Sequence, residues 1–148
     1  MCGIAGVLGR WSEARAAEIA GAMIAALAHR GPDGRQLQVL AAGRDTHLAL
    51  AHARLSVLDL SRAAAQPMGH RETGSLLIYN GELYNYRELR ADLENKGHQF
   101  RSTGDTEVLL SALVEWGAEA LPRLNGMYAF AYWDGRARHL LLARDLGA

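Results

Sequence analysis

The chain has 148 residues, 49% of them hydrophobic and 22% charged, which predicts one folded domain and excludes a disordered chain. Its 16 basic and 16 acidic residues give a formal net charge of zero, which argues against nucleic acid as a partner. No stretch is long and apolar enough to span a membrane, and the single cysteine, at position 2, indicates a reducing cytoplasm.

Elements in the first half of the chain are predicted from hydrophobic spacing and turn-forming residues. Short apolar runs predict strands at 2–8, 37–40 and 48–55, the first of them buried. Ser12 is placed to cap a helix that should end near His29, because residues 31–34 read Gly-Pro-Asp-Gly. The apolar side chains of this helix recur at helical spacing, at Ile19, Met23, Ile24 and Leu27. Residues 61–74 are predicted to form a loop.

The second half is predicted to contain two helices and three strands. The strands cover residues 76–79, 127–133 and 138–143. A capping-box sequence at 85–88 begins the first helix, which ends at Gly97, and residues 103–106 introduce the second. The last two strands flank an Asp-Gly pair that favours a tight two-residue turn. Because this hairpin is antiparallel, the pattern predicts an α+β layered sandwich rather than a parallel doubly wound sheet.

Cys2 is the first candidate for chemistry. Removal of Met1 would make it the N-terminal residue, and an α-amine with a pKa of about 7.7–8.0 is partly neutral at pH 7. The amine could then act as the base for the thiol, so that one residue supplies both attack and proton transfer. A small apolar side chain in a first strand is the alternative, and position alone does not decide between them.

Five further residues are candidates for binding or catalysis. Asn80-Gly81 is a common hairpin turn, but here a helix start follows it, and the pair could instead direct two donors at one oxyanion. Arg54 ends a predicted strand, where a guanidinium is a solvated surface group or binds a carboxylate. Asp105 could cap a helix or hold an ammonium group, and Glu82 lies close to Asn80-Gly81 in the chain. An Arg and an Asp together would recognise both charges of a free amino acid.

Seven segments in this order resemble the class II glutamine amidotransferase domain of asparagine synthetase. They are MCGIAG (1–6), HRGPDG (29–34), RLSVLD (54–59), QPM (66–68), YNGELYN (79–85), DTEV (105–108) and LNGMYAF (124–130). Each segment alone is weak evidence, but the ordered set covers essentially the whole chain and is highly specific. The runs at 54–59 and 79–85 point to asparagine synthetase rather than to glucosamine-6-phosphate synthase or the purine-pathway amidotransferase.

The resemblance implies a four-layer αββα sandwich of the N-terminal-nucleophile hydrolase type. It also implies hydrolysis of glutamine to glutamate and ammonia. On this interpretation Cys2 attacks the side-chain amide carbon, and its own amine takes up and later donates the proton. Asn80 and Gly81 stabilise the oxyanion, and the loop at 29–34 is structural.

The resemblance further implies how glutamine is held and where its ammonia goes. Arg54 binds the α-carboxylate, and Asp105 with the region of Glu82 binds the α-ammonium. Backbone atoms that line the pocket belong to Leu55, Val57 and Leu58. The ammonia passes to a synthetase domain or subunit, which alone uses ATP and magnesium, so no metal or cofactor is expected here. A homodimer is left open.

Two features leave other functions open. The family continues beyond the Ala-Arg-Asp at 143–145 with further strands and a synthetase domain, so the fold is expected to be incomplete at its C-terminus. A retained Met1 would acylate the amine of Cys2. Both features motivate a catalytically silent fold that binds glutamine or a partner protein.

A papain-like pairing of Cys2 with a histidine is a third hypothesis, and its candidates are His29, His47, His52, His70, His98 and His139.

Overall fold

The structure, a computed structural model, describes residues 2–55 and 65–146. The chain divides into two compact units, Met1–Ser56 and Val57–Ala148. Both contain helix and antiparallel sheet, which confirms the predicted α+β class. None of the helices within these ranges is long and apolar enough to cross a membrane.

The first unit is a three-stranded antiparallel sheet with one helix packed on it. Its elements are β1 (Gly3–Gly9), α1 (Glu13–Ala26), β2 (Gly34–Gly43) and β3 (Thr46–Arg54), in the strand order β1-β3-β2. The central strand β3 is the most buried, with residues 48–53 at most 2% exposed. The strand predicted at 2–8 is present as β1, but the prediction that it is buried was wrong. It lies at a sheet edge, where only Gly3 is buried and Leu8 is 46% exposed.

Helix α1 packs on this sheet through small side chains. Ser12 caps it as predicted, since the Arg15 N–H donates to Ser12 Oγ at 3.2 Å. Its buried residues are Ala16, Ala20 and Ile24, which pack against alanines of β3. Because alanine is small, the helix and sheet backbones can approach closely, and this contact replaces much of the predicted apolar stripe. Met23 of that stripe is 42% exposed.

The second unit is a four-stranded antiparallel sheet with two helices packed on it. Its elements are β4 (Met68–His70), β5 (Ser75–Leu83), α2 (Tyr86–Asn95), α3 (Asp105–Trp116), β6 (Gly126–Asp134) and β7 (His139–Arg144), in the strand order β4-β5-β6-β7. The core combines side chains of β5 and β6 with those of both helices, including Leu77, Tyr79, Leu83, Leu93, Leu109, Leu113 and Tyr132. Burial of these apolar side chains is the main favourable contribution to the folding of the unit.

Strand β5 is longer than predicted, and this changes the interpretation of Asn80-Gly81. The strand continues past Tyr79 to Leu83, so both residues are paired with β6 and do not form a turn between elements. Part of the loop predicted at 61–74 is also wrong, because β4 lies within it and pairs with β5. Residues 61–64 of that prediction lie outside the described residues.

Two turn predictions in the second unit were overturned by other hydrogen bonds. Asn85 makes no capping bond to α2; its side chain donates to Arg123 O at 2.9 Å and accepts the Asn125 N–H at 3.0 Å. The Asp-Gly pair does not form a two-residue turn, since Asp134 pairs with His139 and the connection between them is wider. Gly97 ends the α2 segment as predicted, with a positive φ of 95° that suits glycine.

Candidate active site

Cys2 is placed by the pairing of β1 with β3. The antiparallel register sets Gly3 opposite Ala53, so the residue before Gly3 comes next to the end of β3. The Leu55 N–H donates to Cys2 Sγ at 3.4 Å, and the Leu55 carbonyl oxygen lies 3.7 Å from the same sulfur. The thiol is half-buried and reduced, and both of these hydrogen-bond contacts are to main-chain atoms. The sulfur therefore lies between one main-chain donor and one main-chain acceptor of the same residue, which fixes its position at the end of β3.

The loop that follows α1 holds the main chain on both sides of this thiol. After a 3-10 turn at Ala28–Arg30, Arg30 Nε donates to the Cys2 carbonyl oxygen at 3.2 Å. The Asp33 N–H donates to the Arg54 carbonyl oxygen at 3.0 Å. Gly31 lies directly against the Ala53–Arg54 peptide, where a Cβ would overlap the Ala53 carbonyl group. The loop at 29–34, interpreted as structural from the sequence, therefore holds the main chain of Cys2 and of Arg54 in place.

Asn80, Gly81 and Glu82 are consecutive residues of β5 in the second unit. Gly81 faces Tyr128 of β6 so closely that a Cβ would lie 2.7 Å from the Tyr128 Cα. Glycine is therefore required here by space, whatever its role in catalysis. The side chain of Asn80 is half-buried and that of Glu82 is exposed, and strand alternation directs both away from the face that carries Tyr79.

Asp105 is the first residue of α3, and its carboxylate is bound to β5. Oδ2 accepts the Tyr79 hydroxyl at 2.8 Å and the Leu83 N–H at 2.9 Å. The alternative that Asp105 caps α3 was wrong, because Gly104 occupies the N-cap position and no side chain caps that end. One carboxylate oxygen thus joins the residues on either side of the segment 80–82.

The buried side chains of Gln66 and Tyr79 connect β5 to the start of α3. Gln66 Oε1 accepts the Tyr79 N–H at 2.6 Å, and Gln66 Nε2 donates to Thr106 Oγ1 at 3.5 Å. Burial, and next the negative charge of Asp105, raise the pKa of the Tyr79 phenol far above its ordinary value of 10.0, and Glu82 adds to the effect. Tyr79 therefore remains a hydroxyl donor at neutral pH and above its ordinary pKa of 10.0.

A comparison with known families identifies what these residues belong to. The family described as glutamine amidotransferase domain matches residues 1–147. The chain belongs to this family. Membership of the glutamine amidotransferase family confirms the resemblance drawn from the motifs, and it makes the chain part of an enzyme family.

Several curated asparagine synthetases are similar to this chain. Asparagine synthetase [glutamine-hydrolyzing] 3 of Bacillus subtilis is 42% identical over 80% of this chain. Asparagine synthetase 1 of the same organism is 37% identical over 98%, and asparagine synthetase B of Escherichia coli is 38% identical over 79%. The chain spans only 19–22% of the length of these relatives.

Solved structures show the amidotransferase fold. Glutamine phosphoribosylpyrophosphate amidotransferase of Bacillus subtilis superposes on 95% of this chain with a TM-score of 0.72, at 24% identity. A structure described as the allosteric regulatory enzyme of purine biosynthesis gives a TM-score of 0.73. Each match covers 37% of the solved chain. They confirm the predicted α+β sandwich fold.

The residues that the sequence singled out fall into two groups. Cys2, Arg54 and Leu55 lie together in the first unit, and Arg54 directly follows the buried part of β3. The segment 80–82 and Asp105 lie in the second unit, joined through Tyr79 and Leu83. The predicted pocket residues Val57 and Leu58 lie outside the described residues.

Three residues that touch these groups were not singled out as site residues. They are Arg30, Gln66 and Tyr79. All three lie inside the motif segments, which was the available signal. None of them stands out by local spacing, because each acts on a residue far along the chain.

Proposed function

We propose that this chain hydrolyses the side-chain amide of glutamine, with the Cys2 thiol as nucleophile. The observation that carries the proposal is the 3.4 Å contact between the Leu55 N–H and the Cys2 sulfur, at the start of a chain that belongs to the amidotransferase family. That contact holds the sulfur at the end of β3, next to Arg54, and the family supports glutamine as the substrate. The curated relatives named glutamine-hydrolysing asparagine synthetases support the same substrate.

In the first step the neutral α-amine of Cys2, exposed by removal of Met1, accepts the thiol proton. The sulfur then attacks the amide carbon of glutamine, and a C–S bond forms as the carbonyl oxygen becomes negatively charged. Asn80 and Gly81 supply the donors that stabilise this oxyanion. Loss of one such donor typically costs about 100–1,000-fold in kcat.

In the second step the C–N bond breaks and the amine passes its proton to the leaving nitrogen, which departs as ammonia. Water then attacks the thioester and gives a proton to the same amine. The C–S bond breaks, the sulfur recovers the proton, and glutamate leaves. Neither step requires a metal or an organic cofactor.

Recognition of free glutamine requires binding groups for both of its charges. Arg54, at the end of β3, suits bidentate binding of the α-carboxylate. Asp105, together with the region of Glu82, is proposed to supply negative charge for the α-ammonium. Leu55, Val57 and Leu58 are proposed to line the pocket through main-chain atoms.

We further propose that the ammonia serves an ATP-dependent amidation of the asparagine synthetase type. The support is that the relatives are about five times longer than the matched region, so most of each relative lies beyond the amidotransferase domain. A synthetase domain or subunit would be the partner, and ATP and magnesium would act only there.

The test begins with the full chain expressed so that Met1 is removed, as checked by intact mass. Glutamate release from glutamine is measured for this protein and for Cys2→Ala and Cys2→Ser. We expect release by the parent chain and none above background for Cys2→Ala. A glutamine-like electrophile should add to the parent chain at Cys2 alone.

Two outcomes would contradict the proposal. Release of glutamate that survives in Cys2→Ala would exclude Cys2 as the nucleophile. A parent chain that begins at Cys2 and binds glutamine without hydrolysing it would instead favour the catalytically silent fold.

A further inference from the structure

Tyr79 donates its hydroxyl to the carboxylate that is proposed to bind the α-ammonium of glutamine. From this contact we infer that Tyr79 is a positioning residue for substrate recognition, acting through Asp105. The inference rests on the proposed function. Tyr79 itself lies in the core and touches no reacting atom in this mechanism.

The orientation of the Asp105 carboxylate is set by two donors on one oxygen. The Tyr79 hydroxyl and the Leu83 N–H both reach Oδ2, at 2.8 and 2.9 Å. Among the residues that the structure describes, Oδ1 has no hydrogen-bond partner, so this oxygen is left to accept an ammonium N–H. A carboxylate held by one donor can rotate about its Cβ–Cγ bond, whereas two donors from different directions oppose that rotation.

Tyr79 is itself held in a fixed position, so that its hydroxyl can orient the Asp105 carboxylate. Its side chain is only 2% exposed, and its N–H is bound by Gln66 at 2.6 Å. Gln66 also bonds Thr106, the residue after Asp105, so β5 and the start of α3 are joined twice. The phenol is protonated near neutral pH, and burial raises its pKa further above the ordinary 10.0, so it is a constant donor.

The same contacts connect ammonium recognition to the oxyanion segment. Tyr79 and Leu83 flank residues 80–82, and one atom of Asp105 bonds both flanking residues. A ligand charge bound at Oδ1 therefore acts on a carboxylate that also anchors the strand carrying Asn80 and Gly81. Loss of the Tyr79 hydroxyl should weaken glutamine binding first, because the Leu83 bond still holds the strand.

The test compares Tyr79→Phe with Tyr132→Phe in the full chain after removal of Met1. Both tyrosines are 2% exposed core residues, but the Tyr132 hydroxyl donates to Ser75 Oγ at 3.2 Å, away from Asp105. KM and kcat are measured for glutamine and for 4-carbamoylbutanoate, which is glutamine without its α-amino group. This analogue lacks the charge that Asp105 would bind.

For Tyr79→Phe we expect KM for glutamine to rise about tenfold, as for loss of a bond to a charged group, with kcat within about twofold. The kcat/KM for 4-carbamoylbutanoate should stay within about twofold of the parent chain, since the analogue makes no use of Oδ1. Tyr132→Phe should leave the KM for glutamine unchanged.

Two results would overturn the inference in an active parent chain. One is an unchanged KM for glutamine in Tyr79→Phe; the other is an equal loss of kcat/KM for glutamine and for 4-carbamoylbutanoate. A parent chain without glutaminase activity would instead overturn the proposed function. If Tyr79→Phe does not fold, 4-methylphenylalanine at position 79 fills the volume of the phenol without its donor and gives the same comparison.

Discussion

Gly31 allows a direct test of how the loop after α1 supports the candidate nucleophile. The residue is buried between Arg30, which bonds the Cys2 carbonyl, and Asp33, which bonds the Arg54 carbonyl. Its φ of −146° is accessible to alanine, so Gly31→Ala changes the space that is filled without straining the backbone. The new Cβ would overlap the Ala53 carbonyl group and lie 2.5 Å from Arg54 N.

The expected cost follows from what the Cβ meets. Contacts under 3.0 Å with main-chain atoms cannot be relieved by a side-chain rotation, so either the loop or the end of β3 must move. Overpacking of this kind costs about 1–3 kcal/mol. For a chain of this size that corresponds to a fall in melting temperature of roughly 3–10 °C. Glutaminase activity should fall as well, because the displaced peptide precedes the Leu55 N–H that bonds Cys2.

Gly21→Ala is the matched control for Gly31→Ala. Gly21 lies within α1, and a Cβ there meets nothing within 4 Å. Alanine in a helix interior is favoured over glycine by about 0.5–1 kcal/mol, so this variant should be slightly more stable. Urea unfolding of both variants gives the comparison through the midpoint, provided that the slope is unchanged. A Gly31→Ala protein as stable as the parent chain would refute the argument from space.

Three further predictions concern stability. Ser12→Ala should lower the free energy of unfolding by about 1 kcal/mol in urea titration, because the capping bond at the start of α1 is lost. Asn85→Ala removes two side-chain bonds to the main chain and should cost about 1–3 kcal/mol in the same assay. Burial lowers the pKa of His70 below 6.5, so the unfolded chain binds this proton first and stability falls as pH drops through and below 6.5. His70→Asn should flatten that part of the curve of stability against pH.

Local rules predicted most of the elements in this chain. Periodicity, the Ser12 cap and the Gly97 stop located α1 and α2, and the antiparallel closing hairpin identified the α+β class. These signals are contained within a few residues, so they are readable without the rest of the fold. The buried face of α1 could not be predicted in this way, because it depends on the alanines of β3 that pack against it.

The predicted end of the strand at Tyr79, before Asn80-Gly81, was wrong for a physical reason. In isolation this pair favours a turn, but its register with β6 places Gly81 against Tyr128, where only glycine fits. The strand pairing thus overrides turn propensity. Asn85 failed in the same way, since two main-chain groups beyond α3 bind the side chain that would cap α2.

The residues of the candidate site also divide into those that local sequence signals indicate and those that only the fold reveals. Cys2, Arg54 and Asp105 could be proposed from the sequence because a thiol, a guanidinium and a carboxylate suit attack and charge recognition, although each also had a structural interpretation. Tyr79 and Gln66 were not, because a tyrosine and a glutamine in a core segment are ordinary residues until their partners are known. Tyr79 lies 26 positions from Asp105, and this contact exists only because β5 and the start of α3 pack together. Groups that perform chemistry can therefore be proposed from residue type, whereas the groups that orient them follow from the fold, and Tyr79→Phe tests a residue of the second kind.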